Sequence, residues 1–129
     1  MRRTLLSYAW ASPNSLIGLV IGGAMILLGA RAGRIAGVLE VAGGLVGTLL
    51  GPSRIALPWR AMTLGHVILA IDEAALEQSR AHEHVHVRQY EQWGPFFLPA
   101  YVVSSLWQLA CGRRCYRDNW FERQAYERS

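Results

Sequence analysis

The chain has 129 residues, with 13 basic against 9 acidic side chains and a formal net charge of +4 at pH 7. That length makes one domain, residues 1–129, with room for a core. Every basic residue is arginine; they are scattered, and no aromatic–basic array accompanies them, so composition excludes a case for a nucleic-acid partner.

From Thr4 to Ala30 there is no charged residue, and Leu16 to Ala30 is wholly apolar or glycine. Ser12-Pro13-Asn14-Ser15 reads as a helix start, which predicts an apolar helix over 13–30. A helix that is hydrophobic all round is either deeply buried or in a membrane. Its length, about 18 residues, is at the short end for a span. Arg2-Arg3 ahead of it are the flank of a signal peptide or anchor, which favours membrane association over a soluble backing helix. Arg31 and Arg34 follow it, so orientation stays open.

Arg31 to Gly51 alternates short apolar runs with six glycines. Arg34 to Val41 reads as a strand, with Gly43-Gly44 turning the chain. Gly51-Pro52-Ser53 and Leu57-Pro58 mark a loop, and there is no phosphate-loop lysine or dinucleotide fingerprint. Ala61 to Ala70 has the length and apolar content of a strand.

Asp72 to Trp93 contains no Gly or Pro and is dominated by Ala, Leu, Glu, Gln and Arg, a helix that Gly94-Pro95 stops. Within it lies His82-Glu83-His84-Val85-His86. As a strand, this run would aim all three histidines at one face. As a helix, Glu73, Glu77, Arg80, His84, Arg88 and Glu91 form a solvated arc. His82, His86, Gln89 and Trp93 then point inward. Flanking composition selects the helix. His82-Glu83-x-x-His86 puts two imidazoles one turn apart with a carboxylate beside them, a spacing that binds zinc and activates water. Paired core histidines, hydrogen-bonded to backbone or to Gln89, are the bland alternative.

Beyond Gly94-Pro95, Phe96 to Leu109 is apolar and aromatic, and a further helix is expected over 100–110. Cys111 and Cys115 are compatible with a disulfide or with two free thiols, and they lack the neighbours of a zinc site. Asp118 or Asn119 can cap a last helix. There Glu122, Ala125 and Tyr126 share a face. Spacing leaves Glu122 open between a third metal ligand and the reciprocal partner in a capping box with Asn119.

His82-Glu83-x-x-His86, followed on a separate helix by Glu122-x-x-Ala125, resembles the gluzincin branch of the zincin metallopeptidases. The run HEHVHVRQYEQWGPFFLPAY with DNWFERQAY after it is similar to small bacterial zincin-like proteins; the match spans about residues 60–127. The resemblance implies a small α+β zincin-like domain with a metal-binding helix, a glutamate-bearing helix, a short sheet and the apolar N-terminal helix. Residues 61–129 form its metal-site core. It implies one zinc ion on His82, His86 and Glu122, with Glu83 as general base toward the zinc-bound water. It also implies an edge strand over Thr63–Leu69, with Thr63, Leu64, Gly65, His66 and Val67 nearest the substrate. Tyr126, Tyr101 and His66 are the candidates for steadying the oxyanion.

The expected activity is therefore zinc-dependent hydrolysis of a peptide or protein substrate by a membrane-associated bacterial protein, or otherwise a cytoplasmic one. A metal-stabilised, membrane-associated scaffold without catalysis is the alternative, and it would tolerate Glu83→Gln.

Overall fold

The computed structural model describes residues 5–45, 61–114, 116 and 118–129. The elements are α1 (Leu5–Leu27), β1 (Arg31–Ile35), β2 (Val38–Ala42), β3 (Ala61–Leu64), β4 (Val67–Ala70) and α2 (Glu73–Trp93). A 3₁₀ turn (Gly94–Phe96), α3 (Phe97–Ala110) and α4 (Trp120–Arg128) complete the α+β domain. The sheet order is β1-β2-β4-β3; β2 and β4 are parallel and the other pairs antiparallel.

Alternation along the strands sorts the core into two layers. Val38, Ala42, Ile68 and Ala70 face α2, where they meet Leu76 and Val87. Val41, Val67 and Leu69 face α1, where they join Leu64 and Met25. The sheet is thus covered by one helix on each face. A third cluster, Ala11, Tyr90, Phe97 and Phe121, knits α1, α2, α3 and α4 together at one end.

Four sequence-based boundaries move. The expected strand Ala61–Ala70 is two strands, because Gly65-His66 make a two-residue turn in which Gly65 takes φ +63°. β4 is consequently internal, paired to β2 and β3, so Val67–Leu69 cannot be part of a free edge. The expected strand Arg34–Val41 is likewise a hairpin, turned at Ala36-Gly37 with φ of +53° and +77°. Finally, α1 begins at Leu5 and carries Pro13 inside it. Proline there leaves the Ala9 carbonyl without its helical donor. The Ser12 hydroxyl supplies one at 2.7 Å. Asn14 starts no helix; its amide reaches across to the Gly94 carbonyl at 3.0 Å. Gly43 and Gly44 do turn the chain, with φ of +85° and +70°. The expected loop over Gly51–Pro58 lies outside the described residues.

α2 matches the expected span. Asp72 caps it, accepting from the Ala75 amide at 2.7 Å, and Gly94 closes it. Its outer arc is only partly solvated. Buried Glu40 of β2 holds both Arg80 and His84 at 3.1 Å, and Glu91 binds His66 at 2.9 Å. His84 is therefore half-buried and paired, where the sequence suggested a free surface residue. Trp93, expected inward, is 40% exposed and lies edge-on to Phe121. Helix α3 starts at Phe97, earlier than expected, since Pro99 falls in its first turn, where a proline costs no hydrogen bond.

Candidate metal centre

Residues four apart on α2 bring the rings of His82 and His86 to the same side, Nε2 to Nε2 at 3.2 Å. Helix α4 delivers Glu122 to meet them. Its Oε1 lies 2.9 Å from His82 Nε2 and 3.0 Å from His86 Nε2. The capping alternative for Glu122 falls away: Asn119 caps α4 by accepting from the Phe121 amide, while the Glu122 carboxylate turns to the imidazoles and to Tyr101. Small Ala125, fully buried, lets α4 approach closely.

The donor set asks for a cation. Gln89 donates from Nε2 to the Phe121 carbonyl and to Gln124 Oε1, so its Oε1 must accept from His86 Nδ1, 2.8 Å away. A proton fixed on Nδ1 leaves Nε2 of neutral His86 with its lone pair, aimed at a carboxylate oxygen and a second imidazole nitrogen. His82 Nε2 joins that pair as a third lone-pair donor when its own proton is on Nδ1, and such a set is satisfied by a cation. Burial pulls the His86 pKa down, yet the hydrogen bond and charge of Glu122 outweigh it and hold the ring above its ordinary value. Glu122 shows the reciprocal effect: burial would raise it, but His82, His86 and Tyr101 bring it down to about 2.

A tetrahedral ion with bonds of about 2.0–2.1 Å has donor–donor edges of roughly 3.3 Å. The observed triangle of 2.9, 3.0 and 3.2 Å is close to that size, and His82, His86 and Glu122 could hold a metal ion with little rearrangement. His82 Nδ1, buried, has no hydrogen-bond partner among the described residues, so His86 is the better braced ligand.

Glu83 is buried and lines a cavity with His86 and Glu122. Thr63 Oγ1 donates to Glu83 Oε2 at 2.6 Å. Burial lifts its pKa above the ordinary carboxylate value, with His86, the Thr63 hydroxyl and His82 acting against that. A cavity of about 180 Å³ joins these groups; Glu83, His86 and Glu122 line it with Ala61–Leu64, Tyr90, Phe97, Leu98, Tyr101 and Tyr116.

The other sequence candidates divide. Thr63 and Leu64 border the cavity, while Gly65 is the hairpin corner and Val67 lies in the internal strand. His66 is occupied elsewhere, by Glu91 and under the Tyr8 ring at 4.3 Å. Tyr101 lines the cavity but its hydroxyl donates to Glu122 Oε2 at 2.6 Å. Tyr126, half exposed, sits with its ring 4.4 Å from that of His82. Tyr116 went unnoticed in the sequence, because it lies in an aperiodic turn. Gln89 was legible as an inward neighbour of His86, one turn away. Cys111 is exposed, and its proposed partner Cys115 lies outside the described residues. In comparisons with known proteins, no family model, no curated protein and no solved structure matches the chain.

Proposed function

We propose that the protein is a zinc-dependent hydrolase of the metallopeptidase type, with one ion on His82, His86 and Glu122. The observation that carries this reading is the convergence of two imidazole nitrogens and a carboxylate oxygen on one point, with buried Glu83 lining the same cavity as His86 and Glu122. Zinc is favoured by a two-imidazole, one-carboxylate set, which leaves a fourth position in a tetrahedral site. When bound, it supplies Lewis acidity, lowering the pKa of water to about 7 and polarising a carbonyl.

The chain's own groups supply the rest. Glu83, hydrogen-bonded by Thr63, accepts a proton from water and returns it to the leaving amine. Its raised pKa suits a base that must also act as an acid. Gln89 fixes the tautomer of His86. Tyr101 occupies the second oxygen of Glu122, so the carboxylate offers one oxygen to the ion. Tyr116, a phenol kept protonated by burial and hydrogen-bonded with Tyr126, lines the cavity and would have to turn from Tyr126 to donate toward the carbonyl oxygen of the substrate. Among the described residues β3 pairs only with β4, so an extended peptide in the cavity can add along its other edge.

The test is metal content of wild type, His86→Ala and Glu122→Ala, followed by peptide turnover with and without Glu83→Gln. Stoichiometric zinc lost in both ligand variants, with turnover lost in Glu83→Gln at full zinc, is the expected result. Wild type without zinc ends the reading; zinc without turnover transfers the site to a metal-stabilised scaffold.

A further inference from the structure

Helix α1 is, at 23 residues, long and apolar enough to cross a membrane. Its packing argues for a different placement. One face carries Ala11, Asn14, Gly18, Gly22 and Met25 at helical spacing and is buried. The glycines let the helix settle onto the sheet: a Cβ at Gly18 would stand 2.8 Å from Val67 Cβ and 3.0 Å from the Leu64 carbonyl oxygen. A helix crossing the hydrocarbon in this arrangement would drag the sheet with it. Among the described residues β1 and β3 each pair on one side only, and such open edges are not tolerated in lipid.

The opposite face of α1 is bare, with Val20 73% and Leu27 88% exposed. That apolar surface continues onto α3. Trp10 lies 6.0 Å from exposed Phe96 in the turn that leads into α3, and its indole N–H donates to the Gln92 carbonyl, so α1 adjoins the start of α3 there. Beyond Phe96, α3 exposes Val102, Val103, Leu106 and Trp107. Neither helix contains a charged residue, and exposed arginines stand near their ends: Arg34 beside Leu16 and Leu19 of α1, and Arg113 and Arg114 after α3, whereas Arg31 pairs with Glu73 on the other side of the sheet.

We propose that α1 and α3 together dock the domain on an anionic lipid bilayer, with α1 lying in the membrane plane instead of spanning it. Apolar faces bracketed by arginine fit acyl chains rimmed by anionic headgroups. A second copy of the chain would set arginine against arginine. Because Phe97, Leu98 and Tyr101 line the cavity from the inner side of α3, the cavity stands one helix thickness, about 10 Å, from the lipid. The substrate class follows, resting on the hydrolase reading: a peptide segment at the membrane surface. The membrane geometry does not depend on that reading.

Three measurements on the full chain test this. Vesicles of phosphatidylcholine with phosphatidylglycerol retain wild type, and retention falls by about tenfold or more in Val103→Glu/Trp107→Glu while zinc content and circular dichroism stay unchanged. Equal retention of that variant, equal binding to phosphatidylcholine alone, or a stable dimer in place of vesicle binding overturns the docking. Topology is read in a Cys111→Ser/Cys115→Ser background carrying Thr4→Cys or Ala32→Cys, labelled in spheroplasts with an impermeant maleimide. Both positions report the same side if α1 lies in the plane; one labelled and one protected until lysis means a span and refutes the proposal. Cleavage of an acylated, vesicle-bound peptide in preference to the same soluble peptide supports the substrate class, and equal rates reject it. Zinc content and soluble-peptide turnover are scored separately, so failure of the docking and failure of the hydrolase remain distinguishable.

Discussion

Gln89→Leu isolates the part of the centre that most depends on exact placement. The side chain is 1% exposed and spends all its polar atoms, at 2.8 Å to His86 Nδ1, 3.0 Å to the Phe121 carbonyl and 2.8 Å to Gln124. Leucine fills similar space and makes none of these bonds. His86 then keeps a buried N–H without an acceptor, a loss of about 1–3 kcal/mol in the metal-free chain. Its ring also becomes free to change tautomer or rotate, so one of three donors is no longer presented. Removing the outer partner of a ligating histidine lowers metal affinity by about 10–100-fold, or about 1.4–2.7 kcal/mol. The assay is competition for zinc against a chromophoric chelator, paired with thermal melts in excess chelator to account for folding. Gln89→Glu keeps an acceptor for Nδ1–H but sets a buried carboxylate oxygen against the Phe121 carbonyl, so it should lower the melting temperature while losing less zinc affinity than Gln89→Leu. Wild-type zinc affinity in Gln89→Leu would refute the assignment of Gln89, and with it the argument that Nε2 of His86 faces the centre as a lone pair.

Other expectations follow from the same contacts. Thr63→Val leaves Glu83 Oε2 without its donor, so the acid limb of the turnover profile moves to higher pH, while Thr63→Ser restores it; identical profiles would exclude a role for the hydroxyl. In the metal-free chain Glu122, held at about 2 against an ordinary 4.5, contributes about 3 kcal/mol that is present above 4.5 and lost as pH falls toward 2. His86 has the opposite sign: raised above 6.5, it contributes fully below that value, and the contribution fades as pH rises through its folded pKa. Chelated wild type should therefore weaken at both ends of a pH series of melts, and Glu122→Gln should flatten the acid side. Gly18→Ala gains about 1 kcal/mol of helix propensity but meets Val67 and the Leu64 backbone, at a cost of about 1–3 kcal/mol. A lower melting temperature is expected, and a rise would mean that α1 does not bear on the sheet.

What the sequence conveyed divides by range. Helix α2 was legible end to end because its signals are local: Asp72 ahead, 21 residues without Gly or Pro, and Gly94-Pro95 behind. The two imidazoles were legible for the same reason, being one turn apart. Glu122 was a candidate that local spacing left balanced against a cap; the choice depended on Asn119 taking the cap itself and on α4 crossing α2. Both hairpins were read as single strands. Ala36-Gly37 is a poor advertisement for a turn with two positive φ values, since alanine seldom adopts one. Gly65 did carry a signal, but the apolar residues on both sides masked it. Pro13 looked like a boundary until Ser12 was seen repairing the helix around it. The Glu40 pairing with Arg80 and His84 joins residues forty or more positions apart, which no local pattern reports.

Fully buried Asn119 binds α4 to α3 from both sides: its amide donates to the Tyr101 carbonyl and to Ser105 Oγ, while its oxygen receives the Phe121 N–H. Ser104 Oγ receives the Trp120 amide, and Tyr101 reaches Glu122 itself. The carboxylate is thus braced from α3, while Gln89 of α2 and the shared Tyr90, Phe97 and Phe121 cluster tie the same helix to the one that carries the imidazoles. An ion in the proposed centre would be one more clasp across a joint already closed by packing, so its removal should loosen α4 only slightly, read as a modest rise in proteolysis at the exposed Arg113-Arg114 junction.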